Sequence, residues 1–266
     1  FLDENGDNFL NWTITSSWSQ STLNRGRMAT RGAANSVALE VSVPGSDLEF
    51  YKLTYRGEIY FPVAGAWTLR LRGELGYGDG YGDTTELPFY EHFYAGGFGS
   101  VRGFESNTLG PRSTPAELYT ARQPVTGIDE DGNPTEIGGP DGTQFGYVGS
   151  DGKLLYETLN DDPDPFGGNV LIEGSAELLF PLPFIKDRSK LRSAFFVDAG
   201  NVFNTGCSSS QINCFDVDAD ELRYSVGVGV TWITGFGPMT FSLAKPLNAG
   251  DEDEEEAFQF TLGRGF

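Results

Sequence analysis

Along most of this chain apolar residues recur at every second position, the spacing of β-strands with one apolar face. Leu10, Trp12, Ile14 and Trp18 alternate with Asn11, Thr13, Thr15 and Ser17. Val37, Leu39, Val41 and Val43 alternate with Ser36, Ala38, Glu40 and Ser42. Two further strands follow, in which Tyr51, Leu53, Tyr55, Ile59 and Phe61 oppose Lys52, Thr54, Arg56 and Glu58, and Trp67, Leu69, Leu71, Leu75 and Tyr77 oppose Thr68, Arg70, Arg72 and Glu74. After a long gap the pattern resumes. Val170, Ile172, Ala176, Leu178 and Phe180 face away from Glu173, Ser175 and Glu177, and Phe195 and Val197 oppose Arg192 and Asp198. Leu222 to Trp232, Met239 to Leu243 and Phe258 to Phe266 complete nine predicted strands.

One apolar face on nine strands fits either a sandwich core or a lipid-facing barrel wall, and charges on the opposite face are compatible with both. Strand length is the more telling feature. Runs of about ten residues with aromatics near their ends suit tilted membrane strands bounded by aromatic girdles. The connections also alternate. Segments 44–48, 78–168, 204–220 and 248–256 are rich in Gly, Asp and Ser and often acidic. Segments 20–35, 62–66, 181–190 and 234–238 are shorter on average or basic, with Arg25, Arg27, Arg31, Lys186, Arg188 and Lys190. Long loops on one rim and short turns on the other are a barrel property. The acidic run 251–256 reads by itself as a solvated loop.

Composition narrows the field. With 38 acidic and 18 basic residues the formal charge is −20, which opposes nucleic-acid binding. Hydrophobic residues make up only 38 %, and no apolar run is long enough for a transmembrane helix. Yet 36 glycines and 21 phenylalanines are too many for a disordered acidic chain. The expected class is all-β. Cys207 and Cys214 enclose six residues, a setting for a small loop disulfide in an oxidising compartment, with two free thiols as the alternative; the spacing does not suit zinc. Bacterial single-chain barrels have even strand numbers. Nine strands and an abrupt start at Phe1 therefore lead us to expect the C-terminal piece of a longer barrel.

The segment 77–112, YGDGYGDTTELPFYEHFYAGGFGSVRGFESNTLGPR, carries more than periodicity. It closely resembles the corresponding loop of the BamA family of outer-membrane assembly factors, in the BamA/TamA superfamily, whose signature is V-R-G-F/Y. Here that signature is Val101, Arg102, Gly103 and Phe104. PGSDLEFYKL (44–53), FFVDAGNVF (195–203), GPMTFSLAKPL (237–247) and FQFTLGRGF (258–266) extend the resemblance over essentially the whole chain.

The resemblance implies a transmembrane antiparallel β-barrel in the bacterial outer membrane, with loops extracellular and turns periplasmic. These would be the last nine of sixteen strands, preceded in the parent by seven strands and POTRA domains. The loop 78–168 would fold back into the lumen, where Arg102 reaches the inner-wall positions Glu177 and Asp198. A guanidinium between two carboxylates makes planar bonds that Lys cannot reproduce. Losing one partner of such a dry pair costs about 3–5 kcal/mol. The family also closes imperfectly between its first and last strands. The last strand here is expected over 257–266, weakened by Gly263 and Gly265. Phe258, Phe260, Leu262 and Phe266 resemble the C-terminal targeting signal of outer-membrane proteins.

The implied function is folding and inserting β-barrel clients into the outer membrane, with unfolded clients, lipid and accessory lipoproteins as partners. The alternative is a related translocation barrel, TamA-like or a two-partner secretion pore. No cofactor, metal or nucleic acid is implied. An enzyme is disfavoured because the single histidine, His92, lacks a recognisable nucleophile and orienting carboxylate. Residues 124–165, with ten acids and one lysine, read as a solvated extracellular insertion. Its D-x-D-G-N stretch (129–133) lacks the spacing of a calcium loop.

Overall fold

The alternating pattern resolves, in a computed structural model of the chain, into one large antiparallel sheet. Described are residues 9–26, 28–113, four short strands between 125 and 157, 163–182, 190–207 and 211–263. The strands in chain order are β1 (Thr13–Ser21), β2 (Gly32–Ser42), β3 (Phe50–Ala64), β4 (Trp67–Gly80), β5 (Gly103–Phe104), β6 (Val125–Ile128), β7 (Pro134–Ile137), β8 (Phe145–Val148), β9 (Leu154–Glu157), β10 (Val170–Phe180), β11 (Leu191–Phe203), β12 (Arg223–Thr234), β13 (Gly237–Pro246), β14 (Glu255–Glu256) and β15 (Phe258–Leu262). Nine of them form the sheet, in the order β1-β2-β3-β4-β10-β11-β12-β13-β15. Every neighbour is antiparallel, so the connections fall alternately at the two ends.

The sheet is inside out compared with a water-soluble protein. Leu75 and Trp232, half exposed at 50 % and 51 %, lie on the same face as Leu53, Leu71, Val197, Leu243 and Phe258. The opposite face buries Thr68, Ser175, Glu177, Arg192, Asp198, Arg223, Thr231 and Gln259. A sandwich would bury the apolar face; here the polar one is buried, as a barrel in lipid requires. From Trp67 to Tyr77 the chain climbs about 33 Å at about 3.3 Å per residue. At a membrane strand's tilt of about 45° that spans about 23 Å, close to the apolar band of about 25 Å in such barrels.

Aromatics mark both limits of that band. At the turn end Trp67 stacks on Phe180 at 5.3 Å, and Phe180 on Phe195 at 4.6 Å. At the loop end Tyr51 and Tyr77 lie 6.0 Å apart. Amphipathic rings favour such positions, with the ring in the band and the polar tip at its edge.

The chain divides into two units. The larger comprises 1–111, 165–207 and 213–266 and holds the sheet. The smaller, 112–164 with 208–212, includes two hairpins, β6–β7 and β8–β9. The sequence reading missed these hairpins, because four-residue strands among Gly, Asp and Pro carry too few alternations to register. The D-x-D-G-N stretch lies outside the described residues.

Candidate functional site

The loop between β4 and β10 holds the residues with the most concentrated chemistry. Its first part packs as a small core of its own, from Phe93, Ala95, Val101, Phe104 and Leu109 against Leu171 and Val202. A tight turn at its tip, with Gly97 N–H donating to the Val101 carbonyl and Ser100 N–H to that of Gly97, presents Arg102. Basic side chains of the inner wall hold the loop by its carbonyls: Lys52 Nζ reaches Glu91 O at 2.6 Å, and Arg72 Nη1 reaches Gly99 O at 2.7 Å.

Arg102 is 1 % exposed and enters a charged socket between β10 and β11. Its Nε donates to Asp198 Oδ2 at 2.7 Å and its Nη2 to Asp198 Oδ1 at 2.8 Å, a two-pronged pair. Nη2 also meets Glu177 Oε1 at 2.8 Å and Ser175 Oγ at 3.0 Å. The Arg102 backbone N–H adds a bond to Asp198 Oδ2 at 3.1 Å. Beneath lies the Phe196 ring, 3.5 Å from the guanidinium carbon, a cation–π contact. Burial opposes the Arg102 charge, but Asp198 and Glu177 more than offset it and raise its pKa above the ordinary arginine value. The sequence-expected trio of Arg102, Glu177 and Asp198 is thus brought together.

Sequence reasoning missed the continuation. Glu177 Oε2 accepts from Arg70 Nη1 at 3.0 Å, and Arg70 Nη2 donates to Glu58 Oε2 at 2.9 Å. Charges therefore alternate from Asp198 through Arg102, Glu177 and Arg70 to Glu58, across the wall from β11 to β3. The signal available was that Glu58, Arg70 and Glu177 all fall on the polar side of their strands, but pairing requires the register.

The rest of the motif turns toward the last strand. Gly103 has φ +95°, a left-handed conformation costly for other residues, and a Cβ there would sit 3.2 Å from Ala244 Cβ. Gly103 and Phe104 pair with Glu256 and Glu255 as the β5–β14 ladder, and Glu105 N–H continues it to Glu254 O at 2.8 Å. In the run 251–256, Asp251 and Glu254 to Glu256 are exposed, as a solvated loop requires, while the main chain of 254–256 is paired and one side chain turns inward. That side chain, Asp253, is buried against Arg223 Nε and accepts from Gly250 N–H at 2.7 Å, because inward Arg223 needs a counter-charge.

The last strand is described over Phe258–Leu262, inside the expected 257–266, of which 264–266 lie outside the described residues. Phe258, Phe260 and Leu262 point outward. Gly263 adopts φ +91° with open space around its Cα, so the backbone turn, and not crowding, calls for glycine. Gly265 and Phe266 lie outside the described residues. Cys207 and Cys214 form a disulfide. His92 is packed edge-on to Phe166, its ring nitrogens 3.0 Å from Phe166 O and 3.2 Å from Leu87 O. Burial lowers its pKa from 6.5 despite those carbonyls.

An inside-out sheet with a loop clamped to its polar face by Arg102 suggests a specific relationship, and residues 2–266 match the Omp85 superfamily domain. The chain belongs to the Omp85 superfamily. It is 35 % identical to the outer membrane protein assembly factor BamA of Neisseria meningitidis over 99 % of its length, and spans 30 % of that relative. The BamA of Nitratidesulfovibrio vulgaris is 25 % identical over 84 % of the chain and 21 % of the relative. Among solved structures, BamA from Haemophilus ducreyi lacking POTRA domains 1–3 superposes with a TM-score of 0.69 at 28 % identity, over 93 % of this chain and 41 % of that one. The chain thus spans under a third of the curated relatives it matches, and as an Omp85 domain its sheet is a portion of a β-barrel wall.

Proposed function

We propose that this chain is the client-facing wall of an outer-membrane assembly factor, which folds β-barrel proteins and inserts them into the bacterial outer membrane. The observation that carries the reading is the Arg102 socket, which fixes an Omp85 loop to the inner wall beside the last strand. Loops 44–48, 78–168, 204–220 and 248–256 belong to the extracellular rim, the part of 78–168 around Arg102 folding back into the lumen, and the opposite turns face the periplasm. Unfolded barrel clients and outer-membrane lipid meet the wall directly. Accessory lipoproteins act mainly through POTRA domains of the parent.

The mechanism requires no bond chemistry. Among the described residues β15 pairs with β13 at five positions, continued by Ala244 N–H to Ala257 O and Gly263 N–H to Pro238 O. The seam lies between this last strand, whose other edge pairs with no described strand, and the parent's first strand; Gly263 and Gly265 weaken the last strand there. When the seam opens, its unpaired N–H and C=O groups template an incoming strand. The narrow apolar band there thins the adjoining bilayer and lowers the insertion barrier. Val101, Arg102, Gly103 and Phe104 form the latch, with Glu177 and Asp198 as its partners on the wall. Phe258, Phe260, Leu262, Gly263, Gly265 and Phe266 form the seam and the C-terminal signal.

The test places the full-length protein in liposomes and times the folding of an added urea-unfolded outer-membrane barrel. Acceleration over empty liposomes, weakened in a folded Arg102→Ala variant, is the expected result. No acceleration together with steady ion conductance would assign the wall to a translocation pore instead.

A further inference from the structure

The loop touches the wall at a second point that the Arg102 socket does not explain. Gln259, on the inward face of β15 and 4 % exposed, donates from Nε2 to the Phe104 carbonyl at 2.7 Å and to Glu256 Oε2 at 3.1 Å. Both neighbours are acceptors only, so the amide can face them with its NH2 and no other way. This contact joins the last strand directly to the residue two positions after Arg102. On one side of Gly103 the loop is tied to β10 and β11; on the other it is tied to β14 and β15. The left-handed Gly103, packed against Ala244 and Pro246, leaves little slack between the two.

We propose that Gln259 is a positioning residue through which the Arg102 loop sets the placement of the last strand. With the socket occupied, Phe104 is held where its carbonyl captures Gln259, and β15 is pinned from the lumen side in addition to its five pairs with β13. For β15 to shift when its other edge opens, the Gln259 bonds and the β5–β14 ladder must yield. Release of the loop and release of the strand are thereby one event. The functional consequence, gating of client insertion, rests on the assembly-factor reading. The coupling itself does not.

Hydrogen exchange on the full-length protein in liposomes tests the coupling, with Gln259→Leu as the main variant, since it keeps bulk and removes the donor. We expect exchange of amides 254–262 to accelerate about tenfold, the effect of losing one buried hydrogen bond and stranding its acceptor, while strands β3, β4 and β10 stay at wild-type rates. Gln259→Glu, which turns an acceptor toward two acceptors, is expected to exceed Gln259→Leu. In an Arg102→Ala background the Gln259→Leu effect should disappear, because the loop no longer holds Phe104 in reach. Three results overturn the proposal: wild-type exchange at 254–262 in folded Gln259→Leu, uniform acceleration of every strand, or a full Gln259→Leu effect without Arg102. Client folding timed in the same liposomes separates the two readings: no acceleration by the wild-type protein removes the assembly function and leaves the exchange result standing.

Discussion

The two attachments of the loop, one on each side of Gly103, are built from different materials. At the β10–β11 wall the contact is ionic, dry and redundant: one guanidinium meets two carboxylates, a hydroxyl and a ring. At the last strand it consists of a two-residue ladder, one carboxamide and a group of neighbouring carboxylates. Charge-assisted bonds are about twice as strong as neutral ones, and like charges in contact oppose the ladder that carries them. The first attachment is suited to permanence and the second to reversal. Under the proposed function, in which the last strand's free edge opens, the weak join belongs at that strand.

The comparison breaks most sharply at Arg102. Its replacement by Ala leaves Glu177 and Asp198 buried beside each other's charge, and should cost about 3–5 kcal/mol of loop docking. Arg70 still serves Glu177, so Asp198 carries most of the loss. Arg102→Lys keeps the charge but not the fork, and should fall between Ala and wild type. Exchange protection of amides 101–105 measures both. If Arg102→Ala leaves that protection intact, the two attachments are not unequal in the way described.

Gly103→Ala strikes the hinge between them. A side chain held at φ +95° and pressed toward Ala244 should cost about 1–3 kcal/mol, relieved by letting the ladder side shift. The expected pattern is faster exchange at 254–256 with the Arg102 amide, bonded to Asp198, still protected. Equal loosening on both sides would show that the loop moves as one body.

How far the sequence reveals this arrangement differs between the two attachments for physical reasons. Strands such as β4 and β12 are legible because each repeats its apolar spacing five or six times, and one face must meet lipid. Arg102, Glu177 and Asp198 are legible through the family resemblance together with strand parity, which puts both acids on the inner face. The second attachment leaves no such trace. A two-residue ladder has no period, and Gln259 in FQFTLG looks like any polar inward position. Six consecutive acids look like a solvated loop because nothing in the sequence says that Arg223 will stand beneath Asp253, or that the backbone of Glu255 and Glu256 will be used while their side chains remain exposed. Long-range pairing by main chain is the part of a fold that side-chain pattern encodes least.

The smallest expected effect is one of pH. Glu105 lies against Glu254, with Glu256 nearby, and its pKa is raised above 4.5, first by the hydrogen bond that a protonated Glu105 makes to Glu254 and then by the repulsion between the two charges. A carboxyl whose pKa is higher in the folded loop binds a proton more tightly there, so its contribution to docking is complete below its ordinary pKa and is lost as pH rises through the raised value. The ladder between β5 and β14 should therefore be firmer at about pH 4 than at about pH 7, once intrinsic exchange rates are corrected. Because Glu105 is exposed, salt should narrow the difference by screening the repulsion, and Glu105→Gln should abolish it by supplying a permanent donor. A pH response confined to 103–106 and 254–256 would mark the second attachment as the adjustable one; a response that persists in Glu105→Gln would assign it to another group.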